Sequence, residues 1–552
     1  MQQQAGSFQR VAGRRRGRPV TKLRCTGCGA GQEASENHTP SAAIILRVAS
    51  FYVENFGCRA TQADGAAIEH QLATQGLARS SAIESAEIVV LNTCTVTSSA
   101  DQDARAAIRR IHRANPSAKI LVTGCYAQRA PEDLAAIEGV SLVVGNSHKH
   151  RLGELAAGVG LISAESLVSG SHNDGGPHVP AVGICGDEEL PGVPFLPSFG
   201  RSGNDGIHAP VIIDDIFAHT ELLAAPVFDA DNEKTRPNLK VQDGCNNRCS
   251  FCVIPYVRGR SRSLPTAEVL RNVELLVANG YKELVLSGIN LGRWGRDLRS
   301  RDLGGRDLKS RDLKSPDLDG RDRFVDLLRA ILERTSVYGD KAPLLRISSV
   351  EPMDWSDELI ALAAESPRIA KHAHVPLQSG SDRILRRMHR RYRPWHYEDC
   401  IRRIHAAMPQ AAVGADVMVG FPGETDEDFE QTRALIERLP FTYLHVFTYS
   451  SRPGTPSAAM PDQVPVHRAR ERNRILRELA SRKKRQFQEQ FVGKTLGAIT
   501  LTHRDHQPDG CRTEALTNNY QKLWLAGELE ANRMITARIH SIEGEALVGV
   551  AE

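Results

Sequence analysis

The chain has 552 residues, a formal net charge of +4 and 25% charged residues. A chain of this length is too long for one hydrophobic core, so about three domains are expected. The small net charge alone does not indicate that the protein binds nucleic acid. No apolar run reaches the ~18 residues of a membrane span, and no signal-peptide pattern follows the arginine-rich start. We therefore expect a cytoplasmic protein without membrane association. Its 11 cysteines are then better candidates for metal ligands or catalytic groups than for disulfides.

The first 235 residues divide into three parts by composition. Residues 1–44 are basic, then rich in Ser, Gly and Glu, which predicts a disordered extension. Between residues 45 and 154, apolar runs alternate with helical stretches, so we predict a doubly wound α/β domain with a parallel sheet. Residues 155–235 are rich in Gly, Pro, Ser and Asp and are predicted to be a linker or insertion.

The remaining chain divides into a second α/β part and a short β part. Six strand–helix units between residues 236 and 463 predict a partial (βα)6 barrel. Within it, residues 296–323 repeat RDLRS, RDLGG and RDLKS, which favours a solvated surface loop over a stacked repeat. Residues 464–490 are strongly basic and predict a linker helix. Residues 491–552 show short alternating apolar runs typical of a small antiparallel β-barrel.

One group of cysteines lies in the sequence CNNRCSFC, which contains Cys245, Cys249 and Cys252. The group follows the first predicted strand of the barrel, at the face where barrel enzymes place their chemistry. Three thiolates so close together suit an iron–sulfur cluster, whereas a structural zinc site would lack its fourth ligand here. A four-iron cluster with three cysteine ligands leaves one iron open to a substrate.

A second group is dispersed along the chain but shares a local setting. Cys58, Cys94 and Cys125 each end a predicted strand, in FYVENFGC, IVVLNTC and ILVTGC. Because parallel strands end at the same edge of a sheet, the three thiolates are expected to converge.

These motifs together resemble the radical S-adenosylmethionine methylthiotransferase family over residues 48–552. The stretches that carry the resemblance are FGCRATQADG, NTCTVTSSADQDAR, TGCYAQ, QDGCNNRCSFCVIPYVRGRSRS, HVPLQSGSDRILRRMHRRY, GADVMVGFPGETDEDFEQT and FTYSSRPGTPSA. The resemblance implies two 4Fe-4S clusters, one at each cysteine group, with S-adenosylmethionine bound at the Cys245 group. It also implies an electron donor such as flavodoxin or ferredoxin, and a sulfur donor.

Three branches of the family differ in what they modify. NTCTVT and TGCYAQ look most like the bacterial branch that acts on threonylcarbamoyladenosine in the tRNA anticodon loop. The resemblance to that branch implies that this chain adds a methylthio group to carbon 2 of that base, at tRNA position 37. The alternatives are isopentenyladenosine in tRNA and an aspartate of a ribosomal protein. A non-enzymatic alternative is an RNA-binding protein whose iron–sulfur clusters are structural.

Polar residues at later strand ends are candidates for contact with the cofactor or substrate. They are Ser287 and Gly288 in LVLSGIN, Ser349 and Glu351 in RISSVEP, and Gln378 in HVPLQSGS. Glycine at a strand end is also common in plain turns, and serine near a helix start often caps it. Structural roles therefore remain open for these positions.

The last segment resembles the TRAM module, a small RNA-binding β-barrel. Asn519, Tyr520 and Lys522 lie in its TNNYQKLW stretch, a combination suited to stacking on and hydrogen bonding with unpaired bases. Lys484 and Arg485 in the preceding basic helix are candidates for phosphate contacts. An aromatic that simply fills the barrel, and a solvated charged helix face, are the alternatives.

Overall fold

The computed structural model describes residues 49–158, 208–219, 222, 235–298, 323–507 and 510–552. The predicted extension at 1–44 lies outside the described residues, as do most of the segments 155–235 and 296–323. Among the described residues, no helix has the length and apolar character that crossing a bilayer requires.

The first part of the described chain is a parallel sheet with helices on both faces. Its strands are β1 Ser50–Asn55, β2 Ala78–Arg79, β3 Ile88–Thr93, β4 Lys119–Gly124, β5 Val140–Val144 and β6 Val211–Ile212, in the order β2-β1-β3-β4-β5-β6. The helices are Arg59–Thr74, Ser98–Ala114, Cys125–Arg129, Pro131–Ala135 and Leu152–Gly158. This sheet has the doubly wound architecture that the sequence predicts.

Alternation along β3 explains why both faces are covered. Val89 and Leu91 pack into a core with Ile108, whereas Ile88 and Val90 pack into the opposite core with Ile68. A strand buried on both faces has a continuous apolar run rather than an alternating one, as β3 has.

Two short strands of this sheet, β2 and β6, were not predicted. Residues 155–235 were predicted to be a linker or insertion, yet β6 within them pairs in parallel with β5. Two residues, Val211 and Ile212, are too few to produce a recognisable hydrophobic period, so only their tertiary pairing identifies them as a strand.

The second part is a partial barrel of parallel strands, each but the last joined to the next by helical segments. Its strands are β7 Asn238–Asp243, β8 Arg262–Ser263, β9 Glu283–Gly288, β10 Leu344–Ile347, β11 His372–His374, β12 Ala412–Val419 and β13 Tyr443–Thr448. The helices are Ile254–Arg258, Thr266–Ala278, Phe324–Arg334, Asp357–Glu365, Asp382–Arg387, Pro394–Ala407 and Asp426–Arg438.

Two sheets make up this barrel, in the orders β10-β9-β7-β8 and β11-β12-β13. Parallel bridges between Ser349 and His374, and between Leu345 and Ile369, join β10 to the second sheet. The short β8 pairs antiparallel with β7 at the outer edge. The six parallel strands confirm the predicted α/β fold, with the strand predicted at His374–Pro376 starting two residues earlier.

A closed five-stranded barrel follows a long basic helix, Val466–Glu489. Its strands are β14 Thr495–Gln507, β15 Gly510–Thr517, β16 Lys522–Ala526, β17 Met534–Glu543 and β18 Ala546–Ala551, in the order β14-β15-β16-β18-β17. The prediction of an entirely antiparallel barrel is wrong at one place, because β16 and β18 pair in parallel. This pairing joins strands distant in sequence, which no local pattern encodes.

A buried ionic network joins the first sheet domain to the partial barrel. The carboxylate of Asp64 accepts hydrogen bonds from Lys149 at 3.0 Å, from Arg258 at 2.9 Å and from Lys240. Asp243 pairs with Lys240 and Arg258, both at 3.0 Å. Burial would raise the pKa of Asp64, but the three cations lower it below its ordinary value. The two domains therefore share one set of mutually dependent charges.

Candidate functional site

The dispersed cysteines meet at one edge of the first sheet. Cys58 follows β1 and directly precedes helix Arg59–Thr74, Cys94 follows β3, and Cys125 follows β4 as the first residue of a short helix. Since β1, β3 and β4 are neighbours in the sheet, their carboxyl ends place the three thiols together. Burial, together with the nearby Cys125 and Cys58, raises the pKa of Cys94 to about 11.

The clustered cysteines lie in the loop after β7. Burial raises the pKa of Cys252 to about 12, and the neighbouring Cys249 and Cys245 contribute to this shift. The pKa of Cys245 is also raised, again mainly by burial. Three partly buried thiolates would repel one another, so bound positive charge such as that of iron makes this arrangement favourable.

The spacing of the sulfurs bears on which metal group fits. Among the described residues, one group of three has its ligand atoms within 4.8 Å of one another, His374, Asp416 and His445. In each cysteine group, the three sulfurs do not all lie within 4.8 Å of one another. The sulfurs of a tetrahedral zinc site stand about 3.8 Å apart, given Zn–S bonds of ~2.3 Å. Three thiols that converge without such close approach fit the larger body of an iron–sulfur cluster.

Hydrogen-bond donors surround the sulfurs of the clustered group. The backbone N–H of Asn247 donates to Sγ of Cys245 at 3.3 Å, and Nδ2 of Asn290 lies 3.8 Å from the same sulfur. Nη1 of Arg390 lies 3.4 Å from Sγ of Cys249. Donors to thiolate sulfurs stabilise the charged form and raise the reduction potential of a cluster bound there.

A cavity of about 430 Å³ connects the two cysteine groups. Its wall includes Cys58 of the sheet domain, Cys245, Cys249 and Cys252 of the partial barrel, and Tyr520 of the small barrel. All three parts of the described chain therefore contribute to one cavity. This volume suits a small organic ligand or an extruded nucleobase.

The predicted strand-end residues lie around this cavity. Ser287, Gly288, Ser349, Glu351 and Gln378 all line it. The hydroxyl of Ser287 is buried and has no hydrogen-bond partner among the described residues, as expected of a group that awaits a ligand. The carboxylate of Glu351 pairs with Arg390, which also approaches Cys249.

Sequence reasoning missed an aromatic wall of the cavity. The ring of Tyr520 lies 4.3 Å from that of His372 and 5.5 Å from that of Tyr443, and Tyr443 lies 5.3 Å from His445. Burial lowers the pKa of His372 well below its ordinary value and also lowers that of His445. Histidines and tyrosines on β11 and β13 follow no recognisable motif, and only the barrel brings them together.

The structure divides the predicted RNA-binding residues into two kinds. Tyr520 adopts a φ of +65° and faces the cavity, whereas Asn519 is buried and donates to the backbone carbonyl of Gln410 at 3.1 Å. Asn519 therefore holds a turn and does not point toward solvent. Lys522, Lys484 and Arg485 pair with nearby glutamates on the surface.

Gly57 is the residue that allows Cys94 to approach Cys58 closely. Its φ is +107°, and a Cβ there would stand 2.4 Å from Cβ and 2.8 Å from Sγ of Cys94. We expect Gly57→Ala to displace Cys94, so that the purified protein retains the iron of only one cluster. Gly280→Ala is the matched control, since Gly280 has a φ of +85° and open space around it. Full iron content in Gly57→Ala, measured by iron analysis and visible absorbance, would contradict this geometry.

Two family models match the chain. The Uncharacterized protein family UPF0004 covers residues 50–145, and the Radical SAM superfamily covers residues 239–436. These matches coincide with the sheet domain that carries the dispersed cysteines and with the partial barrel that carries the clustered ones.

Curated relatives match over nearly their whole length. The chain is 32% identical to "Threonylcarbamoyladenosine tRNA methylthiotransferase MtaB" of Aquifex aeolicus, covering 88% of this chain and 99% of the relative. The protein of the same name from Bacillus subtilis is also 32% identical, over 87% and 91%. A "tRNA-2-methylthio-N(6)-dimethylallyladenosine synthase" of Novosphingobium aromaticivorans is 30% identical, over 89% and 94%. Among solved structures, the radical S-adenosylmethionine methyltransferase TsrM from Kitasatospora setae has a TM-score of 0.46, with 17% identity over 74% of this chain and 77% of that one.

A partial barrel with CxxxCxxC after its first strand, matched by the superfamily model, defines a radical S-adenosylmethionine enzyme. Its cofactors are S-adenosylmethionine and 4Fe-4S clusters. With relatives above 30% identity over most of their length, the chain belongs to the radical S-adenosylmethionine methylthiotransferase family, enzymes that transfer a sulfur-containing group.

Proposed function

We propose that the chain adds a methylthio group to carbon 2 of N6-threonylcarbamoyladenosine in the anticodon loop of tRNA. The observation that carries the proposal is the cavity, which Cys58 and all three clustered cysteines line together. A substrate base in this space lies next to both cysteine groups at once. Two of the relatives described above carry the threonylcarbamoyladenosine name at 32% identity, and the dimethylallyladenosine relative stands at 30%.

The two cysteine groups hold separate clusters in this proposal. Cys245, Cys249 and Cys252 hold the cluster that binds S-adenosylmethionine, and Cys58, Cys94 and Cys125 hold the auxiliary cluster. When bound, the clusters and S-adenosylmethionine supply a 5′-deoxyadenosyl radical and a methylated sulfur. The thiol chemistry and spacing of both groups support this assignment.

The chain's own residues position the reacting groups and exclude water. The free hydroxyl of Ser287 and the side chain of Asn290 lie on the cavity wall beside Cys245, where they can hydrogen-bond the amino-acid part of S-adenosylmethionine. Arg390 holds Glu351 at the same wall. Gly288, Ser349 and Gln378 complete this side of the site. Tyr520 closes the cavity from the small barrel and offers a ring on which a base can stack.

The small barrel and the basic helix are the proposed tRNA-binding surface. We assign the barrel to the TRAM class from its resemblance and its closed five-stranded form. Lys484, Arg485 and Lys522 sit on the outer surface, where phosphates can replace their glutamate partners. The reaction also requires an electron donor, such as flavodoxin or ferredoxin, and a sulfur donor, in the cytoplasm.

Nucleoside mass spectrometry tests this function. The chain is expressed in a host without its own methylthiotransferases, and total tRNA is digested and analysed. We expect threonylcarbamoyladenosine to gain the mass of one methylthio group. The same gain on isopentenyladenosine would move the chain to the other tRNA branch. If no nucleoside changes in cells whose purified enzyme carries both clusters, tRNA is not the substrate.

A further inference from the structure

One side of the cavity carries a positive charge that forms no ion pair with any residue in the described part of the chain. Arg59 is the first residue of helix Arg59–Thr74, directly after Cys58, and it lines the cavity. Among the described residues, its guanidinium takes part in no ion pair. It lies close enough to His372, Tyr443 and His445 to act on each of them electrostatically.

Other cations around this space already have partners. Arg390 pairs with Glu351, and Arg346 pairs with Glu283. Burial lowers the pKa of His372 and of His445, so neither imidazole adds a positive charge near neutral pH. Asp416 also lines the cavity and acts electrostatically on Tyr443 and His445, and its carboxylate lies 3.4 Å from Nε2 of His374. Among the residues that the structure describes, Arg59 is therefore a cation of this cavity wall without an ion-pair partner, and a guanidinium in such a setting binds a carboxylate or phosphate.

The surrounding rings indicate what kind of anion fits. His372, Tyr443, His445 and Tyr520 form an aromatic wall on the same side of the cavity as Arg59. A flat nucleobase that stacks on this wall presents its edge substituents to the guanidinium. Threonylcarbamoyladenosine carries a carboxylate on such a substituent, whereas isopentenyladenosine carries only a hydrocarbon there.

We propose that Arg59 is the carboxylate-binding residue for the threonylcarbamoyl side chain and thereby selects this base over isopentenyladenosine. The inference rests on the proposed function above. S-adenosylmethionine is the other ligand with a carboxylate, but the proposed function places its amino-acid part at Cys245, which Asn290 contacts. Arg59 lies instead beside the aromatic wall that contains His372, Tyr443 and His445.

The test compares two anticodon stem-loop RNAs with the iron-loaded enzyme. One carries threonylcarbamoyladenosine, and the other carries its methyl ester, which is larger by one methyl group and has no negative charge. We expect the wild-type enzyme to bind and modify the acid roughly 10- to 100-fold better than the ester, the range for a hydrogen bond to a charged group. Arg59→Gln should lose this preference by weakening the acid alone, and Arg59→Lys should keep part of it.

Controls separate charge recognition from damage to the neighbouring Cys58. Arg59→Gln must retain wild-type iron content and visible absorbance. Arg113→Gln removes the same charge from an exposed position on helix Ser98–Ala114 and should leave the preference unchanged. Binding is measured by fluorescence anisotropy and turnover by kcat/KM, so that a binding effect does not depend on radical chemistry.

Three outcomes would overturn the inference. A wild-type enzyme that treats acid and ester alike has no carboxylate site, whatever the variants do. Arg59→Gln with an unchanged preference places the site elsewhere. An equal loss on both RNAs, with a raised KM for S-adenosylmethionine, shows that Arg59 serves the cofactor. If the wild-type enzyme modifies an RNA with isopentenyladenosine but neither the acid nor the ester RNA, the proposed function itself fails.

Discussion

Cys94→Ala is expected to abolish methylthiolation while 5′-deoxyadenosine formation from S-adenosylmethionine remains measurable. Cys94 is buried between Cys58 and Cys125 at the edge of the sheet. Without its thiolate, the auxiliary cluster loses one of three protein ligands. The clustered cysteines after β7 are untouched, so cleavage of the cofactor continues. Both products are measured in one anaerobic reaction, by mass spectrometry of the nucleosides and of 5′-deoxyadenosine.

Cys511→Ala is the control for loss of a thiol as such. Cys511 lies on β15 of the small barrel, away from both cysteine groups. It should retain both activities. Methylthiolation at wild-type levels in Cys94→Ala would remove the auxiliary-cluster assignment. If Cys94→Ala also forms no 5′-deoxyadenosine while spectroscopy shows that the cluster at Cys245, Cys249 and Cys252 is intact, the two sites cannot act separately.

Asp64→Asn is expected to lower the free energy of unfolding by about 3–5 kcal/mol, the usual cost when one partner of a buried ion pair is removed. The substitution leaves Lys149, Lys240 and Arg258 buried with only the carboxylate of Asp243 between them. One carboxylate cannot compensate three buried positive charges, so water must enter or the side chains must move. Since Lys240 and Arg258 belong to the barrel, the variant should also loosen the junction between the domains. Urea unfolding followed by tryptophan fluorescence measures the effect.

Asp399→Asn makes the same chemical change on the surface. Asp399 is exposed and forms a helical i,i+4 pair with Arg403, an arrangement that contributes little. Because the folded-state pKa of Asp64 is lowered, its contribution is present above its ordinary pKa of 3.8 and is lost as the pH falls below it. If Asp64→Asn and the wild-type protein unfold at the same urea concentration at pH 7, this ionic network does not stabilise the fold.

Much of the site was predictable because its chemistry is local in sequence. CNNRCSFC carries three ligands within eight residues, and its placement after a strand follows from the apolar run before it. Cys58, Cys94 and Cys125 were predictable for a different reason, since parallel strands must end at one edge. The same rule located Ser287 and Glu351 at the cavity.

Other parts of the site could not be predicted from single segments. Arg59 follows a cysteine, and nothing in its neighbourhood shows that its side chain lacks an acidic partner. His372 and Tyr443 come from β11 and β13, and Tyr520 from another domain. Their stacking depends on how the small barrel docks, which involves contacts such as Asn519 with Gln410. Asn519 was predicted to contact RNA because an amide beside an aromatic and a cation suits unpaired bases.

The sequence by itself determined the class of enzyme, the parallel α/β architecture and the two cysteine groups, because hydrophobic period and ligand spacing are encoded over a few residues. Only the tertiary structure decided which charges are paired and which are open. Asp64, Lys240 and Arg258 pair across a domain boundary, whereas Arg59 faces the cavity and has no ion-pair partner among the residues described. Pairing of charges depends on distances between segments remote in the chain, and a linear pattern does not contain those distances.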